Sequence, residues 1–149
     1  EYVKLTYIYP ESPLVADATI RLASYYYKNE KFTTAGRIFA NFQSRNPTHN
    51  LAPKSLLLAA HCHMKMEDYD EAQKLLEAIV EQYLDEKDIR SEAMYWFADA
   101  AFKREDYVEA YQSFKRLTWD YPESKWAKFA RGRLTEEAMV EESEADRMN

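Results

Sequence analysis

Tyr9-Pro10-Glu11-Ser12 returns unchanged as Tyr121-Pro122-Glu123-Ser124, 112 residues later. That interval divides into three periods of about 37 residues, near the ~34-residue period of helix–turn–helix repeats. Two weaker echoes fall where the period places them, at Asn46-Pro47-Thr48-His49 and Tyr83-Leu84-Asp85-Glu86. The recurrence predicts an array of helical repeats, and through it a mode of action, which is holding another molecule.

Composition agrees. A chain of 149 residues is long enough for one continuous core. Two Gly and five Pro leave little material for tight turns, while abundant Ala, Leu, Glu, Lys and Arg favour helices. Twelve Tyr, seven Phe and three Trp supply more aromatic surface than a disordered chain carries. The net charge of −6 provides no basic stripe to neutralise nucleic-acid phosphates. No apolar run reaches the roughly 20 residues that cross a bilayer. A single cysteine, Cys62, excludes an internal disulfide.

Each period splits into two amphipathic helices. The first helices are expected at about 13–29, 51–66 and 89–104, the second at about 32–45, 69–84 and 107–120. A short polar turn and an aromatic separate the members of each pair: Asn29-Glu30-Lys31-Phe32, Glu67-Asp68-Tyr69 and Glu105-Asp106-Tyr107. Three residues beyond each aromatic stands Ala35, Ala72 or Ala110, and four further on Phe39, Leu76 or Phe114. A small residue followed by a bulky one at i+4 lies on one helical face, so paired helices approach closely and interlock.

Residues 1–10 align without a gap to 113–122, with Leu5/Leu117, Thr6/Thr118 and Tyr9/Tyr121 identical. Residues 1–9 are therefore expected to be the end of a truncated repeat, with more repeats upstream and an apolar edge at Tyr2, Leu5 and Tyr7. After Pro122, Ser124 is placed to cap a last helix over 125–141, followed by an acidic, disordered tail at 142–149. Trp119 and Trp126 flank this junction and are expected to stack on one another as the C-terminal cap.

The pattern resembles the tetratricopeptide repeat (TPR) family across most of the chain. Leu22, Ala23, Tyr26, Ala35, Phe39 and Pro47 match its signature in the first repeat; Ala59, Ala60, Ala72 and Leu76 do so in the second; Phe97, Ala98, Ala110, Phe114 and Pro122 do so in the third. His63 and Leu84 depart from it, and the period is longer than the family's: 37 residues from Ala35 to Ala72 and 38 from Ala72 to Ala110. The resemblance implies an all-α, right-handed solenoid with repeats at 13–47, 51–84 and 89–122. The long spacer and the string Ala93-Met94-Tyr95-Trp96-Phe97-Ala98-Asp99 are similar to a bacterial cell-envelope subgroup. It is typified by BamD-type outer-membrane assembly lipoproteins and the TolA-binding periplasmic coordinator of cell division. That subgroup implies a periplasmic address, or the periplasmic face of the outer membrane, with the cytoplasm as the alternative.

In such a solenoid the first helices line a concave groove. Carried over repeat by repeat, the groove positions are Ile20, Leu57 and Tyr95 in one row, Tyr27, Met64 and Phe102 in a second, and Lys28, Lys65 and Lys103 in a third, with His61 and Asp99 among them. An apolar stripe beside a row of cations suits a peptide with hydrophobic anchors and carboxylates. The lysines also have a purely structural reading as cations meeting helix C-termini. Chaperone-type TPR domains grip a C-terminal carboxylate with Lys, Asn and Arg; Ile20, Ser24, Leu58, Glu92 and Trp96 stand at those places here, so the resemblance does not extend to that clamp.

His61-Cys62-His63 is the one cluster with the look of chemistry, but adjacent helical residues diverge by about 100°, and metal pairs want i,i+3 or i,i+4 spacing. Cys62 is read as a small core residue. Two glycines and three histidines assemble no phosphate loop or nucleophilic triad, and the carboxylate pairs sit in turns that would not shift their pKa values. The expectation is a non-enzymatic scaffold without cofactor or metal, binding a protein or peptide and no nucleic acid, without inserting into a membrane. The alternative is a spacer or self-association module using its N-terminal edge.

Overall fold

A computed structural model describes residues 13–148 of the chain. The first Tyr-Pro-Glu-Ser copy and the truncated repeat expected at 1–9 lie outside the described residues. Eight helices occupy the described residues: α1 (Pro13–Lys28), α2 (Phe32–Arg45), α3 (Ala52–Lys65), α4 (Tyr69–Gln82), α5 (Lys87–Lys103), α6 (Tyr107–Asp120), α7 (Lys125–Arg133) and α8 (Glu137–Met148). The first six coincide within about two residues with the helices expected from the repeat pattern. The described residues divide into two compact units, the first ending at Asp68 and the second beginning at Tyr69, at the turn inside the second repeat.

In the first unit α2 packs on α1 and on α3. Its small–large face, Ala35 and Phe39, is buried almost completely. Gly36 permits a close approach: a Cβ there would lie 3.2 Å from the Cβ of Cys62 on α3. The Ser55 hydroxyl, also buried, donates to the Phe39 carbonyl at 2.7 Å and so satisfies a polar group at that crossing. Before α3, the Leu51 amide donates to Nδ1 of His49 at 3.0 Å, and the His49 ring meets Phe42 edge-on.

In the second unit α5 packs between α4 and α6, and α6 carries α7 and α8. Ala72 and Leu76 from α4, and Ala110, Phe114 and Leu117 from α6, have no exposed surface. Two arginines fasten the layers. Arg90 donates Nε to the Val80 carbonyl at 3.0 Å and Nη1 to the Tyr121 phenol, which gives the tyrosine of the second Tyr-Pro-Glu-Ser copy a structural task. Arg104 bonds Asp70 at 2.9 Å and the Gln73 amide oxygen at 2.8 Å.

Three turns repeat one backbone device. Glu30, Glu67 and Glu105 have φ of 60°, 59° and 65°. In each case the next amide reaches back five residues: Lys31 to Tyr26, Asp68 to His63 and Asp106 to Ala101, at 2.8–2.9 Å. This is the Schellman closure of a helix C-terminus, in which a left-handed residue satisfies otherwise orphaned carbonyls. Glycine is the residue best suited to it; here glutamate holds the position in every repeat.

The C-terminal region departs from the single helix expected at 125–141. Ser124 caps it as its position demands, accepting from the Ala127 amide at 3.0 Å. The helix then stops at Arg133, because the Thr135 hydroxyl takes the Gly132 carbonyl at 2.7 Å and the chain turns. A separate α8 follows and runs to Met148, so 142–148 is helical and not the disordered tail expected there. Fully buried Met139 anchors α8 in the core of the second unit. Trp119 does not stack on Trp126. It is 86% exposed, whereas Trp126 packs against Tyr95 (5.4 Å), Trp96 (5.8 Å) and Phe129 (5.5 Å).

Candidate functional site

In the first unit, the expected groove residues fall into two sets. Ile20, Tyr27, His61 and Met64 are half-buried on α1 and α3, and Lys28 and Lys65 are exposed at the ends of those helices. Leu57 is different. It has no exposed surface, because Leu56, Ala59, Ala60 and Cys62 around it are buried too and leave α3 covered over most of its girth. It is a packing residue, and its assignment to a partner-facing row is corrected accordingly. Tyr27 also has a packing task, meeting Phe32 edge-on across the turn at 5.3 Å.

Cys62 lies wholly inside this unit, and burial pushes its thiol up to about 11. Burial, with a smaller contribution from Cys62, likewise raises Tyr27. A thiol kept protonated is neither a nucleophile nor a metal ligand. Among the described residues no three His, Cys, Asp or Glu side chains gather where they could hold a metal ion.

In the second unit, the structure brings Tyr95, Asp99, Phe102 and Lys103 together, and it places a residue among them that sequence reasoning missed. Arg133, the last residue of α7, donates Nη1 to Asp99 Oδ1 at 2.8 Å and to the Tyr95 phenol at 3.1 Å. Its Nε bonds Glu136 at 2.7 Å. The guanidinium carbon stands 5.0 Å from the ring centres of both Phe102 and Phe114, within cation–π range. Burial acts to lower the pKa of Arg133, but the hydrogen bonds to Tyr95 and Asp99 outweigh it and hold the group above its ordinary value.

Asp99 is 4% exposed, so it too was misplaced as a surface residue. Its Oδ2 is buried and accepts no hydrogen bond. The Lys103 ammonium is 3.1 Å from it and balances its charge as an ion pair. Lys103 is thereby committed within its own helix. Lys28, Lys65 and Lys103 all occupy the last turn of their helices, where they meet the negative end of the dipole. The one sequence signal that could have found Arg133 is Gly132, which weakens the helix just where the arginine must swing inward.

Comparison with known families agrees with this geometry. Residues 57–124 match the model of the tetratricopeptide repeat family, and residues 9–79 match that of anaphase-promoting complex, cyclosome, subunit 3. No curated protein gives a significant match. The described residues are thus all-α, and residues 57–124 carry helix pairs of the TPR type, repeats that generally mediate protein–protein interaction.

Proposed function

We propose that the chain is a non-catalytic interaction module that binds a segment of a protein partner along its first helices, in the setting of cell-envelope assembly. The observation behind this reading is the contrast between helix faces in the first unit. The α2 face built of Ala35 and Phe39 is buried, while α1 and α3 keep half-exposed Ile20, Tyr27 and Met64 beside exposed Lys28 and Lys65. Apolar anchors rimmed by cations suit a peptide bearing both hydrophobic and acidic residues. The envelope setting and periplasmic address are supported by the lengthened repeat spacer and its Tyr-Pro-x-Ser punctuation. No helix among the described residues is long and apolar enough to cross a membrane.

Affinity capture from envelope and soluble fractions tests the proposal, using the chain beside an Ile20→Glu/Met64→Glu variant whose helicity is verified by circular dichroism. The expected result is a protein retained by the parent chain and released by the variant. Equal retention by both contradicts it and favours a spacer or self-association module.

A further inference from the structure

We propose that the exposed face of α7, with the aromatic rings beside it, is a docking site for an acidic segment of a protein partner that carries an aromatic anchor. The site rests on the reading of the chain as an interaction module, but it lies wholly in the second unit. The tetratricopeptide match ends at residue 124 and α7 begins at Lys125, so the family match does not reach this helix.

The face is aromatic at its centre. Phe129 is 48% exposed, and its ring meets Trp126 at 5.5 Å. Trp126 in turn meets Trp96 of α5 at 5.8 Å, and both tryptophans are half-buried. The three rings leave faces and edges on which a further ring can pack. There is room beside them as well: a Cβ added at Gly132, nearly one turn past Phe129, meets nothing within 4 Å.

Cations rim these rings. Lys125 stands over the Trp126 ring at 5.1 Å, and Lys128 is exposed next to Phe129. Neither lysine has a carboxylate partner among the described residues. From Lys125 to Arg133 the helix carries two lysines, two arginines and no acid, in a chain whose net charge is −6. The helix-end role open to Lys28, Lys65 and Lys103 does not apply, because Lys125 and Lys128 sit where α7 starts and the dipole disfavours a cation. On the α5 side, Glu92 takes the Trp96 indole N–H at 3.1 Å, so a partner's carboxylates are repelled there and drawn towards α7. Charge complementarity selects an acidic occupant, and the exposed rings select an aromatic anchor.

The probe is an acetylated and amidated pentapeptide with one phenylalanine between two pairs of acidic residues. The readout is the indole N–H signals of Trp96, Trp119 and Trp126 in an NMR titration. Those of Trp96 and Trp126 should shift saturably, while that of Trp119, 86% exposed on α6, stays in place. Lys125→Glu/Lys128→Glu should weaken binding about tenfold, through two lost attractions and two added repulsions. That variant should stay folded, since acids suit the start of a helix. No saturable shift, an equal shift of Trp119, equal binding by the charge-reversed chain, or equal binding of a pentapeptide with lysines in place of the acids would overturn the proposal. Binding of phosphatidylglycerol vesicles without any response to the peptide would overturn it too, and would assign α7 to an anionic lipid surface. Ile20→Glu/Met64→Glu, altered only in the first unit, should bind the probe like the parent chain. Loss of the probe in that variant would overturn the α7 site while leaving the first-unit reading intact, so the two fail separately.

Discussion

Arg133 and Asp99 are 34 residues apart in sequence, yet their side chains meet at 2.8 Å in the second unit, with 19% and 6% of their side-chain surfaces exposed. The contact ties α7 to α5 and fixes where the C-terminal helices lie. Removing one member of a buried pair leaves an uncompensated charge and costs about 3 kcal/mol. Arg133→Met should lower stability by about that amount in urea unfolding. Adding Asp99→Asn should recover part of the loss, because the stranded carboxylate is gone. A double variant whose loss equals the sum of the single losses would show that the two side chains are not coupled.

The three left-handed glutamates make a prediction of opposite sign. A non-glycine residue in that region costs about 1–2 kcal/mol, and the flexibility that glycine adds to the unfolded chain offsets about 0.4–1 kcal/mol of the relief. Glu30→Gly, Glu67→Gly and Glu105→Gly should each raise stability by about 0.5–1 kcal/mol. Glu67→Val should lower it, since a β-branched residue suits that backbone worst. Melting temperatures of the four variants are the readout.

Cys62 makes stability depend on alkaline pH. The folded chain holds the thiol protonated up to about 11, from a starting value of 9.0. As pH rises past 9 the unfolded chain loses the proton first, so it binds fewer protons than the folded chain and stability falls. The contribution is whole below pH 9 and is lost between 9 and 11, by up to about 2–3 kcal/mol. Alkaline pH acts on more groups than this thiol, so the discriminating quantity is the difference from Cys62→Ala. Unfolding at pH 8 and pH 10.5 should show a steeper loss for the parent chain. Iodoacetamide at pH 8 should modify it slowly when native and quickly in urea.

The tryptophans separate surface from core. Trp119→Ser should change stability by less than about 0.5 kcal/mol, because the ring is 86% exposed. Trp126→Ser should cost about 2 kcal/mol, since it dismantles ring contacts to Tyr95, Trp96 and Phe129. Comparable losses from the two substitutions would contradict the placement of both rings.

The helices were legible because their signals are local. Ala35/Phe39, Ala72/Leu76 and Ala110/Phe114 repeat at a spacing that one helical face must bury, and all six are buried. The turns announced themselves by polar residues ahead of an aromatic, though not the left-handed backbone that glutamate adopts there. What escaped was long-range or competitive. Arg133 finds Asp99 across one intervening helix, α6, and no spacing rule encodes that meeting. The break at 134–136 depends on Thr135 taking the Gly132 carbonyl from the helix, a choice between two local hydrogen bonds. Leu57 sits at a family position that faces partners, but the covering of α3 on this chain buries it.

The first helices are proposed as the partner-facing surface, and photo-cross-linking reads out which helices touch a partner. A benzoylphenylalanine at position 65, exposed on α3, or at position 28, exposed on α1, is compared with one at position 41, exposed on α2. Adducts with one partner protein from 28 and 65, and none from 41, are the predicted result. Adducts from 41 with none from 28 or 65 would contradict the account and move the contact to the second helices.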